Sequence, residues 1–201
     1  MTEPLNSQEL QDRFSLIENM IAEGRRTTES WGWTFVFWGV AYLVAIAWSS
    51  WGPKAFLAWP VTMIAATLLM CARIAAQRRR KPEKQPDTTL GRAIFSVWVT
   101  TGMAMFLLLI FLSMSGRFDW HVFIAVVCAL LGLANAASSL ILKWNTQFGC
   151  AVFWWGAMAA ACFGSDRIAI AALLVTIFVC QIVFGVYCMV LEAREREATH
   201  A

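Results

Sequence analysis

Six apolar runs separated by short charged breaks fill the chain from residue 31 to residue 191. They give approximate spans 31–50, 55–76, 90–115, 119–142, 145–164 and 167–191. Arg73, Arg92, Asp119 and Arg167 fall in end turns, and the stretches between them hold no Asp, Glu, Lys or Arg. A hydrocarbon core of about 30 Å takes about 20 apolar helical residues, and a charge at its centre costs about 2.5–3.5 kcal/mol. The pattern predicts an all-α fold, a polytopic membrane bundle of six transmembrane helices.

The breaks set the expected connectivity. Turns around Gly52-Pro53, Gly116 to Asp119 and Gly164 to Arg167 are short, and so is the one from Lys143 to Gln147. Short turns lay neighbouring helices side by side and antiparallel, so three hairpins are expected. The longest break, 77–90, carries Pro82 and Pro86, which argue against one continuous helix there.

Residues 1–30 follow another period. Leu10, Phe14, Ile17 and Ile21 are spaced to share one helix face, while Gln11, Asp12, Glu18 and Glu23 fall elsewhere. Asn6, three residues before Glu9, suits a capping-box-like start, and Gly24 suits a stop. An amphipathic helix is predicted, lying at the membrane surface, against the bundle mouth, or against a partner. Its acidic polar face is wrong for adhesion to anionic lipid, and that singles out Leu10, Phe14, Ile17 and Ile21 as candidate partner-binding residues. Residues 192–201 form a short tail.

Composition and charge add topology. With 59% hydrophobic and 14% charged residues, the chain leaves no room for a separate soluble domain. Its polar, acidic start lacks the basic and apolar regions of a cleaved leader. If the amino terminus is cytoplasmic, 13 of the 16 Lys and Arg residues lie inside, and only Lys54, Arg117 and Arg167 lie outside. This positive-inside bias predicts cytoplasmic N and C termini. The run Arg78 to Lys81 then marks topology or meets anionic lipid, and no nucleic-acid partner is expected.

An internal repeat links the first and fifth spans. The segment Gly32 to Gly39 (GWTFVFWG) aligns without gaps on Gly149 to Gly156 (GCAVFWWG). Both spans would run outward, so the repeat would be parallel. Gly32, Gly39, Gly149 and Gly156 are candidate packing positions, where a missing side chain lets another helix approach. Trp38 and Trp155 lie roughly 10 Å from the inner end at 1.5 Å per residue, too deep for headgroup anchors. They either cover helix crossings or line a site for an apolar or cationic ligand. Trp31, Trp48, Trp51, Trp59, Trp120 and Trp144 read as the interfacial belt.

Polar residues within the spans are few. Asn135, with Ser138 and Ser139, sits in the fourth, and Gln181 in the sixth. They act as interhelical hydrogen-bonding glue, or Asn135 and Gln181, with Trp38 and Trp155, line a polar pathway. Catalytic, cofactor and metal sites are not expected: HExxH, GxSxG and Walker motifs are absent, and the six cysteines include no CxxC pair. His121 beside Asp119 is the one potential acid–base pair, at the outer rim.

The order Glu18-Asn19-Met20-Ile21, then Arg25-Arg26, then Phe35-Val36-Phe37-Trp38-Gly39, resembles that in a group of uncharacterised bacterial inner-membrane proteins. The resemblance covers about the first 45 residues and implies a bacterial inner membrane, with no activity attached. Two functional classes stand. One is a non-enzymatic regulatory, scaffolding or self-assembling protein that engages membrane lipid, a cytoplasmic protein or a homo-oligomer. The other is a small transporter or channel. The segregated apolar face favours the first.

Overall fold

A computed structural model describes residues 7–51, 57–80, 89–116 and 119–200. Asn6, Gly52, Pro53, Lys54, Lys81, Pro82, Lys84, Pro86 and Arg117 lie outside the described residues. The helices are α1 (Ser7–Glu29), α2 (Gly32–Trp51), α3 (Ala58–Arg80), α4 (Thr89–Ser115), α5 (Trp120–Leu142) and α6 (Asn145–Phe163). The last runs from α7 (Asp166–Ile177) through a π-helical stretch (Phe178–Val183) into α8 (Phe184–His200), with helical backbone at both joints. Six of these helices, taking the last as one, are long and apolar enough to cross a membrane, which makes the chain compatible with an integral membrane protein. Among the described residues there are no strands.

Local chemistry fixes both ends of α5. Asp119 caps α5, its Oδ1 accepting from the backbone N–H groups of His121 at 2.8 Å and Val122 at 3.2 Å. At the other end Lys143 takes a left-handed conformation, φ 50°, and reverses the chain into α6. Gly132 of α5 lies under the indole of Trp155 of α6, and His121 at the start of α5 meets Ala161 at the end of α6. The two helices are therefore antiparallel. Among the described helices they share the largest interface.

Helix α5 is the centre of the bundle. Of its span 56% is buried, against 11% for α4, which lies at the periphery. Phe35 of α2 meets Trp98 of α4 and Phe184 of α8 edge-on, each with ring centroids 5.3 Å apart. Phe184 in turn meets Trp144, and Tyr42, Trp59 and Phe123 join α2, α3 and α5. Such pairs add about 0.5–1.5 kcal/mol each beyond their area. This network corrects two positions expected in the interfacial belt: Trp144 is 1% exposed and Trp59 is buried. A residue at a span boundary can still point inward, and both do. Trp51 and Trp120 are exposed, as belt residues are.

A backbone-to-backbone approach joins α2 to the last helix. A Cβ on Gly32 would stand 2.7 Å from the Gly185 carbonyl oxygen, and one on Gly185 would stand 2.7 Å from that of Gly32. Backbone touches backbone there, which only small residues permit. One stage along the same face, a Cβ on Gly39 would stand 2.7 Å from Gln181 Cβ, inside the π-helical stretch.

Candidate functional site

Helix α1 divides in two. Its second half is docked: Gly24 packs on Leu90 and Leu142, Thr28 is buried and donates its hydroxyl to the Gly24 carbonyl at 3.1 Å, and the Arg25 guanidinium lies 5.3 Å from the Trp144 ring centroid. Arg25 Nε also stands 3.9 Å from a carboxylate oxygen of largely buried Glu29. Ile21, half-buried, marks the boundary. Beyond it Leu10, Phe14 and Ile17 are exposed, Phe14 at 64%. Leu16 and Met20, also exposed, widen this stripe on one side. The spacing rule missed them because it follows the row of three- and four-residue steps along one edge of the apolar arc.

The polar residues of the interior form a second candidate. Asn135 is buried, its Nδ2 donating to the Leu131 carbonyl of its own helix at 2.8 Å, while its Oδ1 has no partner among the described residues. The Ser138 hydroxyl and both amide atoms of Gln147 are likewise buried without partners. Gln181 is buried too, but it packs on Gly39 of α2. Asn135 and Gln181 are thus engaged at different places. Gln147 was not singled out from sequence because it stands in the first turn of α6 and reads as a turn residue. Its full burial is a tertiary effect.

The repeat is used unequally. Gly32 and Gly39 hold close approaches, whereas a Cβ on Gly149 or Gly156 would meet nothing within 4 Å. The packing role expected of all four glycines therefore holds within the chain for the α2 pair only. Trp155 does cover a crossing, but the glycine beneath it is Gly132 on α5. Trp38, half-buried, leans on Phe37 and Tyr42. Arg73 of α3 stands over the Trp33 ring at 3.8 Å from its centroid, the one cation–π contact joining α2 to α3 among the described residues.

At the far rim His121 does not pair with Asp119, whose carboxylate is used as the α5 cap. Its Nδ1 lies 2.8 Å from the Ala161 carbonyl oxygen and its Nε2 2.6 Å from Asp166 Oδ1. Ala161 is in the last turn of α6, where carbonyls lack helical partners. The imidazole therefore clasps the ends of α5, α6 and α7, which is a structural task. Cys180 donates its thiol to the Cys150 carbonyl at 3.6 Å, and no three His, Cys, Asp or Glu side chains gather as a metal site among the described residues.

The geometry defines a helical bundle with six candidate membrane spans and an extra helix docked at one end. No protein-family model, curated protein or solved structure matches the chain.

Proposed function

We propose that this is a non-enzymatic membrane protein that works by docking, with the first half of α1 holding a cytoplasmic protein partner against the bundle. One observation carries the reading: the apolar stripe of Leu10, Phe14 and Ile17 is exposed and uncovered among the described residues, while the second half of the same helix is tied down at Gly24 and Thr28. An exposed amphipathic helix on a fixed base suits helix-in-groove recognition. Glu18 and Glu23 on its polar side disfavour an anionic lipid surface as the occupant. The basic bias of the loops supports a cytoplasmic position for α1 and both termini, and the resemblance of the first 45 residues supports a bacterial inner membrane.

Changing Phe14 and Ile17 together to Ser tests the reading. Affinity capture from the native cytoplasm should lose the protein retained by the unaltered chain, with the thermal unfolding of the bundle unchanged. Equal capture by both forms would refute it.

A transport reading is kept by the unpartnered polar atoms of Asn135, Ser138 and Gln147, because buried groups of this kind cost about 1–3 kcal/mol each unless something satisfies them. Loss of flux in reconstituted vesicles on Asn135→Leu, with normal partner capture, would favour that reading over docking.

A further inference from the structure

We infer that two copies of this chain associate in the membrane through the outward face of α6, the Gly149–Gly156 motif of one copy against that of the other. The molecule itself shows what this motif does. In α2 the aligned motif presents Gly32 and Gly39, seven residues apart, and the last helix lies on them at Cβ distances of 2.7 Å. Around Gly149 and Gly156, also seven apart, the same positions meet nothing within 4 Å. The first motif is occupied by a helix. The second is empty.

Beside the empty motif lies an open groove of about 330 Å³ between α6 and α7, lined by Val152, Phe153, Gly156, Ala172, Val175 and Thr176. It is apolar apart from Thr176. That threonine is 3% exposed. Thr67 and Thr100 donate their hydroxyls to carbonyls of their own helices, at 2.8 Å and 2.7 Å. Thr176 makes no side-chain hydrogen bond among the described residues and lines the groove. Hydrocarbon at that depth offers it no acceptor, whereas a neighbouring helix does.

A second copy fits this face better than an unrelated helix. Gly149, Val152, Gly156, Ala159 and Phe163 fall at alternating three- and four-residue steps, the seam of a left-handed helix pair. Val152, Gly156, Ala159 and Phe163 are exposed, Phe163 at 93%. One patch thus carries both projections, at Val152, Phe153 and Phe163, and hollows, at Gly149 and Gly156. A two-fold contact requires that self-complementarity. Two copies inserted with the same orientation bring parallel α6 helices together, and α6 carries no charge to oppose the contact. The inference does not depend on α1.

The test measures the fraction of dimer by single-molecule photobleaching of labelled full-length protein in phosphatidylethanolamine and phosphatidylglycerol vesicles, across a range of dilutions. Gly156→Leu places its side chain into the open groove, so the monomer should unfold as the native chain does, while dimerisation weakens at least tenfold. Thr176→Val, which removes only the hydroxyl, should weaken it less. Phe14→Ser with Ile17→Ser should leave the dimer intact. A monomeric native chain at every dilution, an undiminished Gly156→Leu dimer, or loss of the dimer through the α1 changes would each overturn the inference. So would a groove-bound lipid that co-purifies with a monomeric native chain and is lost from Gly156→Leu.

Discussion

Replacing Gly32 and Gly156 each by Ala places the same methyl group on two positions of one repeated motif, and the structure predicts opposite outcomes. At Gly32 the new Cβ stands 2.7 Å from the Gly185 oxygen, 2.8 Å from the Met189 nitrogen and 2.9 Å from Cys188 Cβ. Two of these atoms are backbone and cannot rotate away. Restoring an ordinary contact of 3.4 Å requires α2 and α8 to part by about 0.7 Å, the difference between 3.4 and 2.7. A gap of about 0.5–1 Å already forfeits a quarter to a half of the dispersion attraction across a packed surface, and overpacking of this kind costs about 1–3 kcal/mol. Gly156→Ala meets nothing. Gly156→Ala also gains about 0.5–1 kcal/mol from replacing a glycine in a helix interior, a gain that is smaller at Gly32, the first residue of α2. The difference is therefore at least the overpacking cost, about 1–3 kcal/mol, or roughly 5- to 150-fold in the unfolding constant. Reversible unfolding in mild detergent, at a dilution that keeps one copy per micelle, measures it. Equal stabilities within about 0.5 kcal/mol would refute the claim that α2 holds a backbone-to-backbone crossing there.

Other expectations can be checked alongside. Trp155→Ala strips the cover from Gly132 and should cost about 2–4 kcal/mol, somewhat under the range for a fully buried Trp because this indole is half-buried; denaturant unfolding reads it. Gln147→Leu removes two buried unpartnered amide atoms and should be neutral or stabilising in the same assay, since an unmade hydrogen bond is a cost. His121→Ala should loosen the α6–α7 turn without unfolding the bundle, seen as faster amide exchange at residues 161–169, and unchanged exchange would mean the clasp holds nothing. Cysteines placed at Glu3, Glu83 and Thr199 should be labelled from the cytoplasmic side alone, and those at Pro53, Ser115 and Ser165 from the opposite side alone. Labelling of Glu83 and Ser165 from one side would sink the six-span topology.

Hydropathy carried most of the fold because a span is a local property: length and absence of charge are read directly along the chain, and the six apolar helices fall where the pattern puts them. Burial is not local. Trp144 and Gln147 flank the α5–α6 turn and resemble boundary residues in sequence, yet the left-handed Lys143 swings α6 back so that both enter the core. The repeat shows the same limit from the other side. Gly39 and Gly156 occupy equivalent motif positions, and only the arrangement of the last helix makes one a crossing and the other a surface. His121 was noticed beside Asp119, two residues away, while its carboxylate partner Asp166 lies 45 residues on. For α1 the period identified the apolar arc, but whether that arc is covered depends on where Gly24 docks.

On the docking proposal, the place where Gly24 docks separates stability from recognition in this molecule. From Gly24 onward α1 rests on α4, α5 and α8, so changes there at Thr28 or Arg25 disturb the aromatic core through Leu90, Leu142 and Trp144. Before Ile21, every side chain that can be described is exposed, so the first half adds little burial to the bundle. An apolar stripe left largely uncovered loses hydrophobic free energy in water, about 25 cal/mol for each Å² left exposed. On the docking proposal that stripe is kept for an occupant outside the chain. The acidic face disfavours anionic lipid as that occupant, and a protein groove bordered by basic side chains would satisfy both sides of the helix at once.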